Sequence, residues 1–446
     1  MAVTVPQAGT LFVRAEQLDD GFPVFEGYVQ AGETVFNWDG LLAWGEPMRE
    51  GKARLNAELT TDSGGRLKLA GADFTVGRPL CRVQFALPYR EEFAAPDPLW
   101  QVEIRLSAPG TLYYSLSPKN DPDRPLLKGT RSVQDAEKIE VIRWRGTQKN
   151  GANAPAGDYV FSCRTDQEPE GAHTFTVRVT EERAGTLPLE QNAWWVSRIP
   201  LSEEERDAFF SDPLPLVDAA EGSGIPVFEA KSANSARLGA VHGSTVSVNL
   251  LEPRAGNGWS RIGFYTYGDS RYQEGYIQTG SLTMVRPSGR YGLILDLRTQ
   301  TMTVYERGRE VGSLRVSTAL SGLKMETGLG VYLTGLRIGH FRDTDYQYDY
   351  AIRVDKDNLM HQIGYRFKEP RSFADHKAAL GTPASHGCIR MAETAGPDGQ
   401  GLTAWWVYSH IPKRTVLLVV DDLAARTAQT LHSGGFSVSL PTPIEP

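Results

Sequence analysis

Apolar and polar positions alternate with period two through most of the chain. In Lys52-Ala53-Arg54-Leu55-Asn56-Ala57-Glu58-Leu59 every second residue is apolar, and Asp158-Tyr159-Val160-Phe161-Ser162-Cys163-Arg164 sets Tyr159, Phe161 and Cys163 on one side. Such segments between Gly-rich turns predict half-buried antiparallel strands. Their landmarks recur. Gly9-Thr10-Leu11-Phe12, Trp38, Gly51 and Phe74-Thr75-Val76 are matched by Gly110-Thr111-Leu112-Tyr113, Trp144, Gly157 and Phe175-Thr176-Val177, with 13 residues from Trp to Gly in both copies. Two tandem β-sandwich modules are expected, over 1–80 and 81–184.

The pattern then changes. Ser202-Glu203-Glu204-Glu205 is a capping box that predicts a short helix through Phe210. Pro213, Pro215 and Gly222-Ser223-Gly224 follow, so 185–225 reads as a helical linker. Short β-segments resume over 226–287, among them Val227-Phe228-Glu229-Ala230, Gly258-Trp259-Ser260-Arg261-Ile262 and Glu274-Gly275-Tyr276-Ile277. They predict a small barrel with Trp259 in its core and His242 solvated in a turn. From 288 a meander is expected: Tyr291 to Asp296, Thr301 to Glu306, then Val311 to Ser317 after a turn at Arg307-Gly308-Arg309. A helix over 402–411, in which Trp405 and Trp406 pack, and a buried strand from Thr415 to Val420 close a unit spanning 288–424. Residues 425–446 read as a flexible tail.

Composition narrows the classes. Over 446 residues, 40% are apolar and 23% charged, the balance of a folded globular chain. The net charge of −7 argues against a basic nucleic-acid binder. It is uneven: residues 1–289 carry −9 and residues 290–422 carry +2. No apolar run approaches the ~20 residues of a membrane helix, and Met1-Ala2-Val3-Thr4-Val5-Pro6 lacks the layout of a signal peptide. The cysteines are Cys81, Cys163 and Cys388; no CxxC pair or histidine spacing suggests a metal site, and no cofactor is expected. Cys81 and Cys163 either pair in an oxidising compartment or sit as two buried thiols.

One segment carries chemistry: Gly381-Thr382-Pro383-Ala384-Ser385-His386-Gly387-Cys388-Ile389-Arg390. Gly381, Pro383 and Gly387 break regular structure and put the Cys388 thiol in a turn. A thiol attacks a carbonyl when a base or a lowered pKa activates it, and histidine is the natural base. Backbone N–H groups at Gly387 and Cys388 could face an oxyanion, and the Arg390 guanidinium could hold a substrate carboxylate.

The string Ser385-His386-Gly387-Cys388-Ile389-Arg390 resembles the signature of the L,D-transpeptidase catalytic domain. The meander ending at Val316-Ser317, the Thr327-Gly328 turn and Leu359-Met360-His361 resemble other parts of that domain. The resemblance implies a β-rich domain with few helices. It implies Cys388 as nucleophile, His361 as base, Gly387 and Cys388 as oxyanion donors, and Ser385, His386 and Arg390 around the substrate. The implied substrate is a peptidoglycan tetrapeptide stem. The thiol would displace D-alanine from the L-centre of a diamino acid, and an amine from a second stem, a lipoprotein or a D-amino acid would resolve the thioester. Water as acceptor would make a carboxypeptidase, and an occluded site would leave a wall-binding scaffold. Such a substrate implies the periplasm or cell envelope. Between His361 and Ser385 lie 23 residues, more than the family usually has, which implies an inserted loop within Tyr365–Lys377 and leaves His376 as the alternative base. His386 sits too close in sequence to face the thiol well.

Two further resemblances concern the accessory regions. Residues 226–287 resemble a bacterial SH3-type barrel, and Trp144-Arg145-Gly146 to Ala156-Gly157-Asp158-Tyr159 resembles the Ig-like module of hook-capping proteins. The first implies a barrel of a kind that often binds cell-wall peptide and the second a structural or docking sandwich, in a mainly β chain with an envelope protein as a candidate partner.

Overall fold

The computed structural model describes residues 2–17, 20–35, 48, 50–77, 80–97, 100–168, 171–181, 187–192, 199–320, 326–366, 373–393 and 402–432. The period-two segments form strands as expected, and the fold is mostly β. In the first module Gly9–Gln17 lies between Asp20–Val29 and Gly51–Thr61. The Trp38 landmark lies outside the described residues.

In the second module a three-stranded and a five-stranded sheet enclose one core. Trp100 and Trp144 meet edge to face at 6.0 Å within it. Cys81 and Cys163 share that core as free, buried thiols. The Cys81 thiol donates to the Ala108 carbonyl at 3.1 Å, and burial pushes Cys163 up to about 12. The reading of two buried thiols, not a disulfide, describes this structure.

The linker expectation changes. The capping box forms as read, with the Glu205 N–H donating to Ser202 Oγ at 3.0 Å, and the helix runs Glu203–Ser211. The segment is no spacer, however. Phe209, Phe210, Leu214 and Leu216 pack into one core with Ile294, Val416, Leu418 and Val420 of the C-terminal sheet. A Cβ on Gly292 would sit 2.2 Å from the Phe210 ring, so this close approach requires glycine there.

The C-terminal sheet has ten strands. Its order is Gly330–Leu333, Val416–Val420, Tyr291–Asp296, Thr301–Glu306, Arg309–Ser317, Ile389–Met391, Asn358–Gln362, Tyr346–Asp355 and Arg337–Arg342, with Tyr365–Arg366 also paired to Tyr346–Asp355. The meander follows the sequence reading, and Arg307 and Gly308 turn it with φ of 51° and 75°. Two positive φ values are what a tight hairpin turn needs to match strand twist. Val416–Val420 is buried throughout because both its faces are covered. Leu417 and Val419 face one core with Val407 and Tyr408 of the Ala404–His410 helix, and Val416, Leu418 and Val420 face the linker side. The expected tail is partly ordered: a helix spans Leu423–His432, and the rest lies outside the described residues.

The second module and the C-terminal domain share a core. Phe85 meets Tyr408 edge to face at 5.9 Å and Trp405 at 6.3 Å. The Arg105 guanidinium lies 5.5 Å from the Trp405 ring centroid and 5.8 Å from that of Tyr408. The two tryptophans are therefore packing residues, as their spacing predicts: Trp406 stacks on His410 at 4.5 Å.

Candidate active site

Two adjacent parallel strands build the site. In their register Met360 faces Ile389, His361 faces Arg390 and Gln362 faces Met391. Alternate residues share a sheet face, so Cys388, one residue before Ile389 and two before Arg390, belongs to the face of His361. Continuing the register sets Cys388 opposite Leu359, whose backbone hydrogen-bonds the sulfur and favours the thiolate. The sequence placed these residues 27 apart; the parallel pairing brings them to one face.

His361 is 1% exposed. Phe341 and Tyr348 meet its ring edge to face at 5.1 and 4.9 Å. Its Nδ1–H donates to the Gln362 carbonyl at 2.6 Å, which leaves Nε2 as the acceptor nitrogen. Burial drives its pKa down to about 3; the Gln362 hydrogen bond opposes this, and Arg390 and His376 reinforce it. Burial likewise raises the Cys388 thiol, against the pull of Leu359 and Arg390 and with a further push from Asp357. At rest Cys388 is therefore a thiol and His361 a neutral imidazole.

The turn before the thiol is held by hydroxyls. Ser385 Oγ accepts the Gly387 N–H at 3.2 Å and donates to the Cys388 carbonyl at 2.6 Å. Thr327 Oγ1 donates to the Gly387 carbonyl at 2.9 Å and accepts the Ala319 N–H at 3.1 Å. Gly387 has φ +123°, which L side chains rarely adopt. Of the residues expected to touch substrate, Ser385 is fully buried and shapes the turn instead. Its bond to Gly387 also engages one of the two expected oxyanion donors. His386 is exposed, and Arg390 is half-buried with Nη1 donating to the Ala384 carbonyl at 3.1 Å.

His376, the alternative base, lies on a short helix, Ala374–Lys377. Its ring packs against two tyrosines, 4.5 Å from Tyr346 and 5.7 Å from Tyr348. Burial and Arg390 lower its pKa. Asp375 takes hydrogen bonds from Tyr346 at 2.7 Å and Arg366 at 2.8 Å, and Lys377 pairs with Glu393 at 2.8 Å. These contacts tie the Ala374–Lys377 helix to Tyr346, Arg366 and Glu393, and residues 367–372 lie outside the described residues.

Sequence reasoning missed Tyr348, Asp357 and Tyr267, each near enough to the sulfur to couple to its charge. No motif marks them, because each reaches the site through tertiary pairing. It also placed His242 in solvent. His242 is 8% exposed and pairs with Asp355 at 2.7 Å, a partner 113 residues away that local pattern does not reveal.

Residues 290–419 match the family model of the L,D-transpeptidase catalytic domain, YkuD. The C-terminal segment of the chain is thus similar to a transpeptidase catalytic domain. No curated protein matches the chain. Among solved structures, an L,D-transpeptidase from Xylanimonas cellulosilytica is 18% identical over 29% of this chain and 60% of its own, with a TM-score of 0.21. One from Mycobacterium tuberculosis is 14% identical over 48% of this chain and 82% of its own, at 0.24. One from Mycobacterium smegmatis is 16% identical over 44% of this chain and 99% of its own, also at 0.24. The chain thus spans about 60% of the Xylanimonas protein's resolved length.

Proposed function

We propose that the protein is a peptidoglycan L,D-transpeptidase working through Cys388 and His361. The thiol attacks the carbonyl that joins the L-centre of the stem's third residue, a diamino acid, to the terminal D-alanine. His361 Nε2 takes the thiol proton and gives it to the departing D-alanine amine as the C–N bond breaks, leaving a thioester. An acceptor amine attacks the thioester, the C–S bond breaks, and a proton returns to sulfur through the same imidazole. Because both partners rest neutral, proton transfer accompanies attack and no standing ion pair is required.

The N–H of Cys388 is the backbone donor assigned to the oxyanion; one such donor contributes about 3 kcal/mol to the transition state. Arg390 offers the cation for the D-alanine carboxylate. His361 is preferred over His376 as base. The supporting observation is the His361–Arg390 register, from which His361 shares a face with Cys388, whereas His376 packs against Tyr346 and Tyr348. The substrate lies outside the cytoplasmic membrane, so the envelope is the expected compartment. Among the described residues no helix is long and apolar enough to cross a membrane.

The test is incubation with purified tetrapeptide muropeptides, read by mass spectrometry. Wild type should release D-alanine and form cross-linked dimers, and Cys388→Ala should do neither. His361→Ala should lose at least a hundredfold in rate, and His376→Ala should retain most of it. Wild type behaving like Cys388→Ala would end this reading.

A further inference from the structure

The barrel-side loop Thr266–Arg271 joins the strands Trp259–Tyr265 and Tyr272–Gln278. It is internally fixed. Thr266 N–H donates to the Arg271 carbonyl at 2.9 Å, Ser270 N–H to the Thr266 carbonyl at 3.1 Å, and Arg271 N–H to Thr266 Oγ1 at 3.0 Å. The Thr266 hydroxyl also binds Asp269.

This preformed loop docks on segments flanking the nucleophile. Glu326 N–H donates to the Gly268 carbonyl at 3.0 Å, and Leu329 N–H to Ser270 Oγ at 2.7 Å. Between those two anchors lies Thr327, whose hydroxyl holds Gly387. On the loop's other side the Lys356 ammonium sits 5.0 Å from the Tyr267 ring centroid, and His242 meets the same ring edge to face at 5.0 Å. Burial lifts the Tyr267 hydroxyl to about 12, and Asp357, Asp355 and the Cys388 sulfur add to the rise. Tyr267 also lines a groove of 670 Å³ with Leu238, Ala240, His242, Asp269 and Arg271. That volume lies within the range of about 300–1,000 Å³ typical of ligand pockets.

Strand register orders the groups along the cleft. Cys388 lies at the level of Leu359 and Arg390 at that of His361, while Asp357 precedes Leu359 by two residues. The sequence of charges is thus Asp357, thiol, Arg390, with Tyr267 at the Asp357 end. The leaving D-alanine carries a carboxylate, which places its amine on the Arg390 side. The attacking amine replaces the leaving one, so it enters from that side too. The acyl part of the donor must then run the other way, past Asp357 and Tyr267.

We propose that the Thr266–Arg271 loop and its groove form the acyl-donor half of the catalytic cleft, holding the extended stem peptide on the amino-terminal side of the scissile bond. The diamino acid's side-chain ammonium would face Asp357. The module is then part of the enzyme's substrate recognition, beyond any anchoring to the wall. This rests on the transpeptidase reading.

The experiment measures D-alanine release by the full chain from two donors, the complete tetrapeptide and the diamino acid–D-alanine dipeptide lacking the first two residues. Wild type should prefer the tetrapeptide in kcat/KM. Tyr267→Ala and Arg271→Glu should each reduce that preference at least tenfold. Arg271 is exposed, so its variant should keep the fold, checked by an unchanged Tm. A preference equal to wild type in both variants overturns the inference while the transpeptidase reading stands. No release from either donor by wild type overturns both.

Discussion

Burial of His361 among Phe341 and Tyr348 sets its proton state, and this has two measurable consequences. The first is kinetic. With a pKa near 3 the imidazole is neutral wherever the enzyme works. Acylation of Cys388 by a carbapenem should show no acid limb near 6.5, the ordinary histidine value; the rate should hold between pH 5 and 7, followed by intact mass at each pH. A limb at 6.5 would show that the base is a solvated histidine. The second is thermodynamic. Between pH 3 and 6.5 the unfolded histidine binds a proton that the folded one refuses. The unfolded state then holds more protons, so stability rises with pH across that window and falls on acidification. Replacing His361 with Gln should flatten the slope of Tm against pH there. Cys388 stood out in the sequence through its motif, and His361 through a resemblance upstream of it. The burial that tunes them was not legible, because the strand pairing that turns Phe341 and Tyr348 onto the His361 ring has no mark in a motif.

At the scale of elements, the turn 385–388 depends on two hydroxyls with opposite neighbours. Ser385→Ala removes the acceptor for Gly387 N–H and the donor to the Cys388 carbonyl together. Leaving such buried backbone groups unpaired costs about 1–3 kcal/mol, and the thiol loses its fixed position. We expect a denaturation midpoint lowered accordingly and a β-lactam acylation rate lower by at least tenfold. Ser385→Thr should recover part of both. Strand positions in this region were readable from alternation, and the end of the meander at Ser317 does pair with the motif, opposite Arg390. What alternation could not supply was the parallel pairing of Asn358–Gln362 with Ile389–Met391, since parallel register has no local turn to announce it. The linker failed for a related reason. The capping box announced the helix that carries Phe209 and Phe210, but not the sheet face they cover.

At the scale of the molecule, the charge asymmetry becomes an interface. The N-terminal part is net −9 and the C-terminal domain +2, and a carboxylate of the former meets cations of the latter: Glu91 with Arg290 and Arg307 at 2.9 and 2.8 Å, while Glu137 lies 3.0 Å from the His340 ring. These exposed pairs contribute little, about 0–1 kcal/mol each. The pair of Glu103 with Arg337 differs, because their side chains are 7% and 1% exposed. Arg337 also donates to the Tyr408 carbonyl at 3.0 Å and lies against the rings of Phe85 and Tyr408. Removing one partner of such a pair strands a charge in a dry interface, at a cost of about 3–5 kcal/mol, whereas replacing both with apolar groups can be neutral. Glu103→Gln should therefore destabilise the whole chain by that amount, and Glu103→Leu combined with Arg337→Met should restore most of the loss. Urea unfolding of the three proteins at constant m decides it. If the second module were an arm tethered beside an independent catalytic domain, Glu103→Gln would shift only one of two separate transitions and leave the C-terminal one where it was.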